Sequence, residues 1–201
     1  MKKVLFEGKE IYPSKILCVG RNYVEHIKEL NNKVPNDIVF FIKPNSSISE
    51  ELIKPDKKCR YEGEISFLII KNKIKAVGFG IDLTFVDEQE KAKKERLPWE
   101  KAKAFDNSAV FSDFVEISDV EGLEMELYIN GELKQKATIE LMIYKPYQIL
   151  EKAKEYFSFE NGDILMTGTP KGVGYFEKGD KFLGKIIKKG KTLIEREWIV
   201  K

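Results

Sequence analysis

The stretch CRYEGEISFLIIKNKIKAVGFGID, Cys59–Asp82, decides how the chain is read. Two apolar runs rich in β-branched and aromatic residues flank Asn72 and Lys73, where the chain would fold back, and this predicts a β-hairpin. Side chains alternate faces along a strand, so Glu62, Glu64 and Ser66 share one side. Tyr61, Ile65, Phe67 and Ile69 fall on the other and read as core. Two carboxylates about 7 Å apart along one strand face repel unless a cation lies between them. A solvated strand end is the commoner reason for such a pair, and an oxygen-only site for a hard ion such as Mg²⁺ is the other. Asp82 closes the second apolar run, where it offers a third carboxylate or simply a turn residue at a helix entry.

Working outward, KVLFEGKEIYPSKILCVG reads as two short strands separated by Gly8 and Pro13, with residues 1–15 a short N-terminal strand region. In RNYVEHIKELNNKVPND, Tyr23, Ile27 and Leu30 recur at helical spacing and Asn31, Asn32 and Pro35 end the pattern, giving a short helix and loop over 22–35. IVFFIKP is strand-like. Beyond the hairpin, Thr84 with Asp87 resembles a capping box that opens the helix FVDEQEKAKKER, which Pro98 stops. MELYINGELKQKA places two alternating runs around Asn130-Gly131, the pair favoured by a type I′ turn. Pro146 opens a second helix, PYQILEKAKEYF, with Tyr147, Leu150 and Tyr156 on one face. The remainder is short strands punctuated by glycine. Nine or ten strands against two or three helices predict one mainly β (α+β) domain over 1–201, mostly antiparallel, with a few covering helices.

The 35 Lys and Arg residues nearly balance 33 Asp and Glu, for a net charge of +2. No global field draws the chain to nucleic acid or membrane, so its function is local. Even KAKKERLPWEKAKAF is interrupted by Glu95 and Glu100 and reads as a solvated face with Trp99 as an anchor. Cys18 and Cys59 are isolated, with neither a disulfide framework nor zinc-ligand spacing, and no apolar run has signal or membrane length. These features predict a cytoplasmic protein.

His26 is the single histidine, and Glu29 follows three residues later, on the same face of the predicted helix. A carboxylate there can orient the imidazole for general-base work near neutrality, or the two form a surface pair. GTPKGVG, residues 168–174, lacks the Gly-Lys-Ser/Thr order of a nucleotide loop. It is a tight turn, or one presenting backbone N–H groups and Thr169 to an anion.

Taken in order, GRNYVEHIKE, YEGEISFLI, DLTFVDEQ, LPWEKAKAFD, NGELKQ and GDILMTGTPKGVG resemble the fumarylacetoacetate hydrolase family, from about Ile16 to Lys185. The branch is the short, single-domain one of acylpyruvate hydrolases, oxaloacetate decarboxylases and hydroxymuconate-type isomerases. The resemblance implies a mixed β-sandwich roll, a homodimer, a small 2-oxo acid substrate and one Mg²⁺, with Mn²⁺ or Ca²⁺ as alternatives, held by Glu62, Glu64 and Asp82. It implies a lid carrying the His26–Glu29 dyad, an active-site lysine at Lys103, and substrate contacts at Gln89 and Thr169. Arg21 and Asn22 fall in the GRNY block, where a structural role comes first and Arg21 is also a candidate substrate contact. The chain departs from the family where Phe85-Val86 replaces Ala-Arg, where Ala104 replaces a serine, and at Lys134 in place of arginine. The expected chemistry is an enolate stabilised by a Lewis-acid metal. It serves hydrolysis of acylpyruvates or decarboxylation of oxaloacetate first, isomerisation, tautomerisation or hydration of 2-hydroxy-dienedioates second. A protein that binds metal and ligand without turnover is the remaining alternative.

Overall fold

The computed structural model describes residues 1–30 and 36–201. Three strands, not two, precede the first helix: β1 (Val4–Phe6) and β2 (Lys9–Ile11) form a hairpin, and β3 (Lys15–Gly20) enters the main sheet. The added turn is at Glu7 and Gly8, both with positive φ. Helix α1 (Val24–Glu29) follows, with Tyr23 and Ile27 buried as the spacing requires. Its expected terminators Asn31, Asn32 and Pro35, and most of the expected loop, lie outside the described residues.

Next come β4 (Val39–Pro44), β5 (Ile48–Ser49), β6 (Cys59–Ile70) and β7 (Lys73–Phe85). The turn between β6 and β7 is at Lys71 and Asn72, with φ of 50° and 59°, one residue earlier than the sequence suggests. β7 does not stop at Asp82 but runs on to Phe85, and α2 (Val86–Glu95) starts without a side-chain cap. The expected capping box is absent because the Thr84 hydroxyl turns inward to the Glu62 carboxylate, 2.9 Å away. Arg96, in the left-handed region with φ 57°, ends α2 before Pro98 is reached.

A short helix α3 (Glu100–Lys103) leads to β8 (Ala109–Phe111) and β9 (Val115–Glu116). β10 (Leu123–Ile129) and β11 (Glu132–Thr138) make the expected hairpin, with positive φ at both Asn130 and Gly131. α4 (Pro146–Lys154) starts at its proline but buries Ile149, Leu150 and Ala153, leaving Tyr147 and Tyr156 exposed. β12 (Ile164–Met166), β13 (Gly174–Tyr175), β14 (Lys181–Lys188) and β15 (Lys191–Ile199) complete the described chain. Fifteen strands among the described residues exceed the nine or ten expected, because two- and three-residue strands are too short to show a period.

These strands form a mixed roll. Nine build one sheet along the path β4-β3-β12-β6-β7-β8-β5, with β13 and β9 added to β6 and β7, and four build the antiparallel sheet β11-β10-β14-β15. The smaller sheet covers one face of the hairpin β6–β7: Tyr61 packs edge-on against Phe182, and Phe79 lies against Trp198. Tyr61, Ile65, Phe67 and Ile69 all belong to this core, as their alternation predicts. Each fully buried aliphatic or aromatic side chain here contributes about 1.5–3 kcal/mol. The opposite face of β6 is also covered, by a second core that includes Leu68, Ile16, Phe111 and Met166. The glutamate face of β6 is therefore interior.

Candidate functional site

β6 and β7 pair antiparallel with Glu62 opposite Asp82 and Glu64 opposite Gly80. Directly opposed residues share a face, so the three carboxylates converge. One oxygen from each of Glu62, Glu64 and Asp82 lies within 4.8 Å of the others, and all three residues are buried. The solvated-strand-end explanation for the glutamate pair fails: Glu64 is 1% exposed.

Cations answer this buried charge. Lys103, the last residue of α3, donates to Glu62 Oε2 at 2.9 Å, Asp82 Oδ2 at 2.6 Å and Thr84 Oγ1 at 2.6 Å. Arg60 donates through Nε and Nη2 to Glu62 Oε1 at 3.1 and 2.7 Å, and through Nη2 to Gln89 Oε1 at 3.1 Å. Lys43, 0% exposed on β4, brings Nζ to 2.8 Å from Asp82 Oδ1 while donating to the backbone carbonyls of Leu83, Lys103 and Ser108 and to the Ser108 hydroxyl. Its contact with Asp82 lacks hydrogen-bond geometry, so Oδ1 has a charge nearby but no hydrogen-bond donor. Burial alone would raise the Glu62 carboxyl, yet Lys103, Arg60 and His26 hold it well below the usual range. Burial and the Asp82 charge push Glu64 up, against the single N–H bond it receives from Gly168 at 2.8 Å. Burial opposes the Lys103 ammonium, but Asp82 and Glu62 outweigh it and keep the group charged.

The donor set fits a hard divalent ion. It is carboxylate oxygen only, two ligand residues come from one rigid strand and the third from its neighbour, and one buried Asp82 oxygen has no hydrogen-bond donor. Glu62, Glu64, Asp82, Lys103, Gln89, Thr169 and Arg21, each singled out in the sequence, wall one cleft. His26 and Glu29 are not among its walls, although Leu30, next to Glu29, is. His26 is buried on α1 with Nδ1 3.1 Å from Glu29 Oε2, so the pair is not a solvated surface pair. Burial lowers the imidazole pKa, while the Glu62 and Glu29 charges pull it back up.

Two amides of the turn at 168–174 are already engaged within the protein. Gly168 N–H goes to Glu64, and Gly172 N–H goes to Glu29 Oε1 at 3.0 Å. Thr169 donates its hydroxyl proton to the Gly63 carbonyl at 2.8 Å and accepts from Gln135 Nε2 at 2.9 Å. Gln135, on β11, in turn accepts the Gly63 N–H at 2.8 Å, so the smaller sheet clamps the strand between its two glutamates. A Cβ on Gly63 would meet Gln135 Oε1 at 2.9 Å and Phe79 at 3.0 Å, and glycine is required there. Asn22 is structural as expected: its amide bridges Tyr144 and Thr167.

Sequence reasoning passed over Lys43, Arg60 and Lys93. A lysine inside the apolar run VFFIKP is the signal for the first, and an arginine two residues before Glu62, on the same strand face, for the second. The expectation of a solvated face over 91–105 is corrected at Ala92, Ala102 and Lys103, which are buried.

Comparison with known proteins fits this geometry. The profile of the fumarylacetoacetate hydrolase C-terminal domain matches residues 15–193. The chain belongs to the fumarylacetoacetate hydrolase family. It is 37% identical over 191 residues to oxaloacetate tautomerase YcgM of Escherichia coli, covering 85% of this chain and 87% of that one. To the mitochondrial oxaloacetate tautomerase oaa1 of Schizosaccharomyces pombe it is 36% identical over 196 residues, covering 86% and 88%. The crystal structure of fumarylpyruvate hydrolase from Pseudomonas aeruginosa, in complex with Mn²⁺ and pyruvate, superposes with a TM-score of 0.87 at 27% identity, covering 98% and 94%. The family is one of enzymes, and this member is an enzyme with the fold expected of it.

Proposed function

We propose that this enzyme interconverts the keto and enol forms of a short 2-oxo acid, oxaloacetate first, with a divalent metal, Mg²⁺ in the first instance, bound by Glu62, Glu64 and Asp82. The observation that carries the reading is the convergence of those carboxylates, one hydrogen-bond-poor oxygen among them, at the base of a cleft beside Lys103. The oxaloacetate tautomerases at 37% and 36% identity support tautomerisation over the C–C cleavage that the sequence alone put first. A metal bound there supplies Lewis acidity toward the keto and carboxylate oxygens of the substrate.

The remaining work falls to the chain's own residues. His26 is neutral at pH 7 because burial disfavours its charged form. With Nδ1 facing Glu29, Nε2 is the free base that takes the proton from C3 of the keto form and passes it to the enolate oxygen, the reverse direction running the same transfer backward. Glu29 holds the ring and is itself held by the Gly172 amide. Lys103 presents positive charge to the developing oxyanion, and Gln89 and Thr169 flank the ligand. Hydrolysis of acylpyruvates is the second reading, supported by the fumarylpyruvate hydrolase likeness. There the same base would activate water instead.

The test is a spectrophotometric one: decay of enol-oxaloacetate absorbance with added Mg²⁺, beside acetylpyruvate cleavage under the same conditions. Metal-dependent acceleration of the first, lost in Asp82→Asn, is expected. Faster turnover of acetylpyruvate would move hydrolysis to first place. The homodimer belongs to the same reading and is tested by sedimentation equilibrium.

A further inference from the structure

Four cationic side chains wall the cleft, Arg21, Arg60, Lys93 and Lys103, against three carboxylates, Glu62, Glu64 and Asp82. Arg60 and Lys103 are spent on those carboxylates. Arg21 and Lys93 form no ion pair with any described residue, and residues 31–35, Asn-Asn-Lys-Val-Pro, contain no acid. Other lysines on or beside the helices do find carboxylates, as Lys57 does with Glu88 and Lys152 with Glu155.

Lys93 is held apart by where α2 points it. It lies four residues, about one turn, beyond Gln89, whose side chain is buried in the cleft wall. Its Nζ sits 6.0 Å from the ring centroid of Trp99, another wall residue, which fixes the ammonium over the aromatic face. Arg21 stands at the end of β3 in the left-handed region, φ 61°, an uncommon conformation for a residue with a side chain. The Asn22 hydrogen bonds to Tyr144 and Thr167 hold the neighbouring backbone in place. Arg21 Nε is buried and has no hydrogen-bond acceptor among the described residues. Burial and the like charges of Arg21 and Arg60 depress the Lys93 ammonium, a cost that an anion between them would remove.

We propose that Arg21 and Lys93 form a carboxylate-binding rim that takes the distal carboxylate of a 2-oxo diacid and selects such dianions over monocarboxylates of similar size. This specificity role rests on the reading that the carboxylate cluster below chelates the 2-oxo end through a divalent metal. Lys93 is the new element, and Gln89 and Trp99 are the residues that aim it.

Malate and lactate differ by the distal carboxylate alone and report on the rim without turnover. Titration calorimetry on the full chain with saturating Mg²⁺ should find malate bound at least about ten-fold tighter than lactate, the worth of one charge-assisted hydrogen bond. Lys93→Met should bring malate to within about three-fold of lactate, Arg21→Met should act in the same direction, and Lys93→Arg should restore most of the preference. For oxaloacetate turnover, Lys93→Met should raise KM about ten-fold and leave kcat within about three-fold. Equal binding of malate and lactate to the parent protein, or an unchanged ratio in Lys93→Met, overturns the rim. Failure to turn over oxaloacetate while the malate preference responds as stated overturns the reaction assignment and leaves the rim standing.

Discussion

Among the Glu-x-Glu triplets on hairpin strands, those at 62–64 and 124–126 meet opposite fates. Glu124-Met125-Glu126 lies on β10, where Met125 faces the core and the glutamates face outward to Lys136, 2.8 Å from Glu126 and 3.9 Å from Glu124. Glu62-Gly63-Glu64 lies on β6, which has a core on either side. Water and one exposed lysine suffice for the first pair. The second is almost closed to water and has Arg60, Lys103 and Lys43 arranged around it. A motif of two carboxylates is thus an ordinary wet strand face or a metal-ready cluster according to whether the strand is covered once or twice.

Three pairs of substitutions would test that contrast. The largest effect belongs to Glu62→Gln, which takes from buried Arg60 its carboxylate partner and from Lys103 one of two. Turnover should fall below detection, and urea unfolding should show a loss of about 3 kcal/mol, as for other broken buried pairs. Glu126→Gln in the outer pair should change stability by less than about 0.5 kcal/mol and leave turnover intact. Comparable losses in the two variants would remove the distinction between the hairpins.

His26→Ala comes next, with an expected loss of about 10²–10⁴ in kcat and unchanged metal affinity by calorimetry. The pH profile carries the sign. The imidazole is lowered from its ordinary value by burial, and its neutral form is the active base. The rate should therefore be level through neutrality and fall only as pH drops through that lowered value. Glu29→Gln removes a charge that favours imidazolium, so its acid limb should move to still lower pH. A limb moved upward would contradict the role given to Glu29.

The third test is steric. Gly63→Ala drives a methyl against Gln135 and Phe79 and should cost about 1–3 kcal/mol in unfolding free energy. Met125→Leu, at the matching position of the outer pair, should cost less than about 1.5 kcal/mol.

How far the sequence carried differs between these hairpins for a physical reason. Asn130-Gly131 announces its own turn, and the alternation of β10 identifies a core face because the other face is wet. β6 and β7 hide their register. Counted straight from the pair Ile70↔Lys73, Glu62 would meet Ile81, and Asp82 would point to the other face. A bulge between Leu68 and Ile69 slips the ladder by one residue, so Leu68 pairs with Ala76, Lys75 is left over, and Glu62 meets Asp82. Folding back at Asn72 and Lys73 without a bulge would have paired Glu62 with Leu83 and likewise lost the third carboxylate. The resemblance of six ordered blocks named the residues of the cluster, but spacing alone could not bring them together.

By itself the sequence determined a strand-rich fold, the Asn130-Gly131 hairpin, the apolar face of β6 and the residue types that could serve metal, base and substrate. Those follow from local stereochemistry and side-chain period, which are properties of short segments. Only the tertiary structure decided that the glutamates are interior, that Asp82 joins them, that Lys43 reaches Asp82 from β4, and that Arg21 and Lys93 have no acidic partner among the described residues. Each of these depends on a bulge, a second covering layer or a contact across many residues, and on the energetic rule that charge removed from water must be answered by other charge.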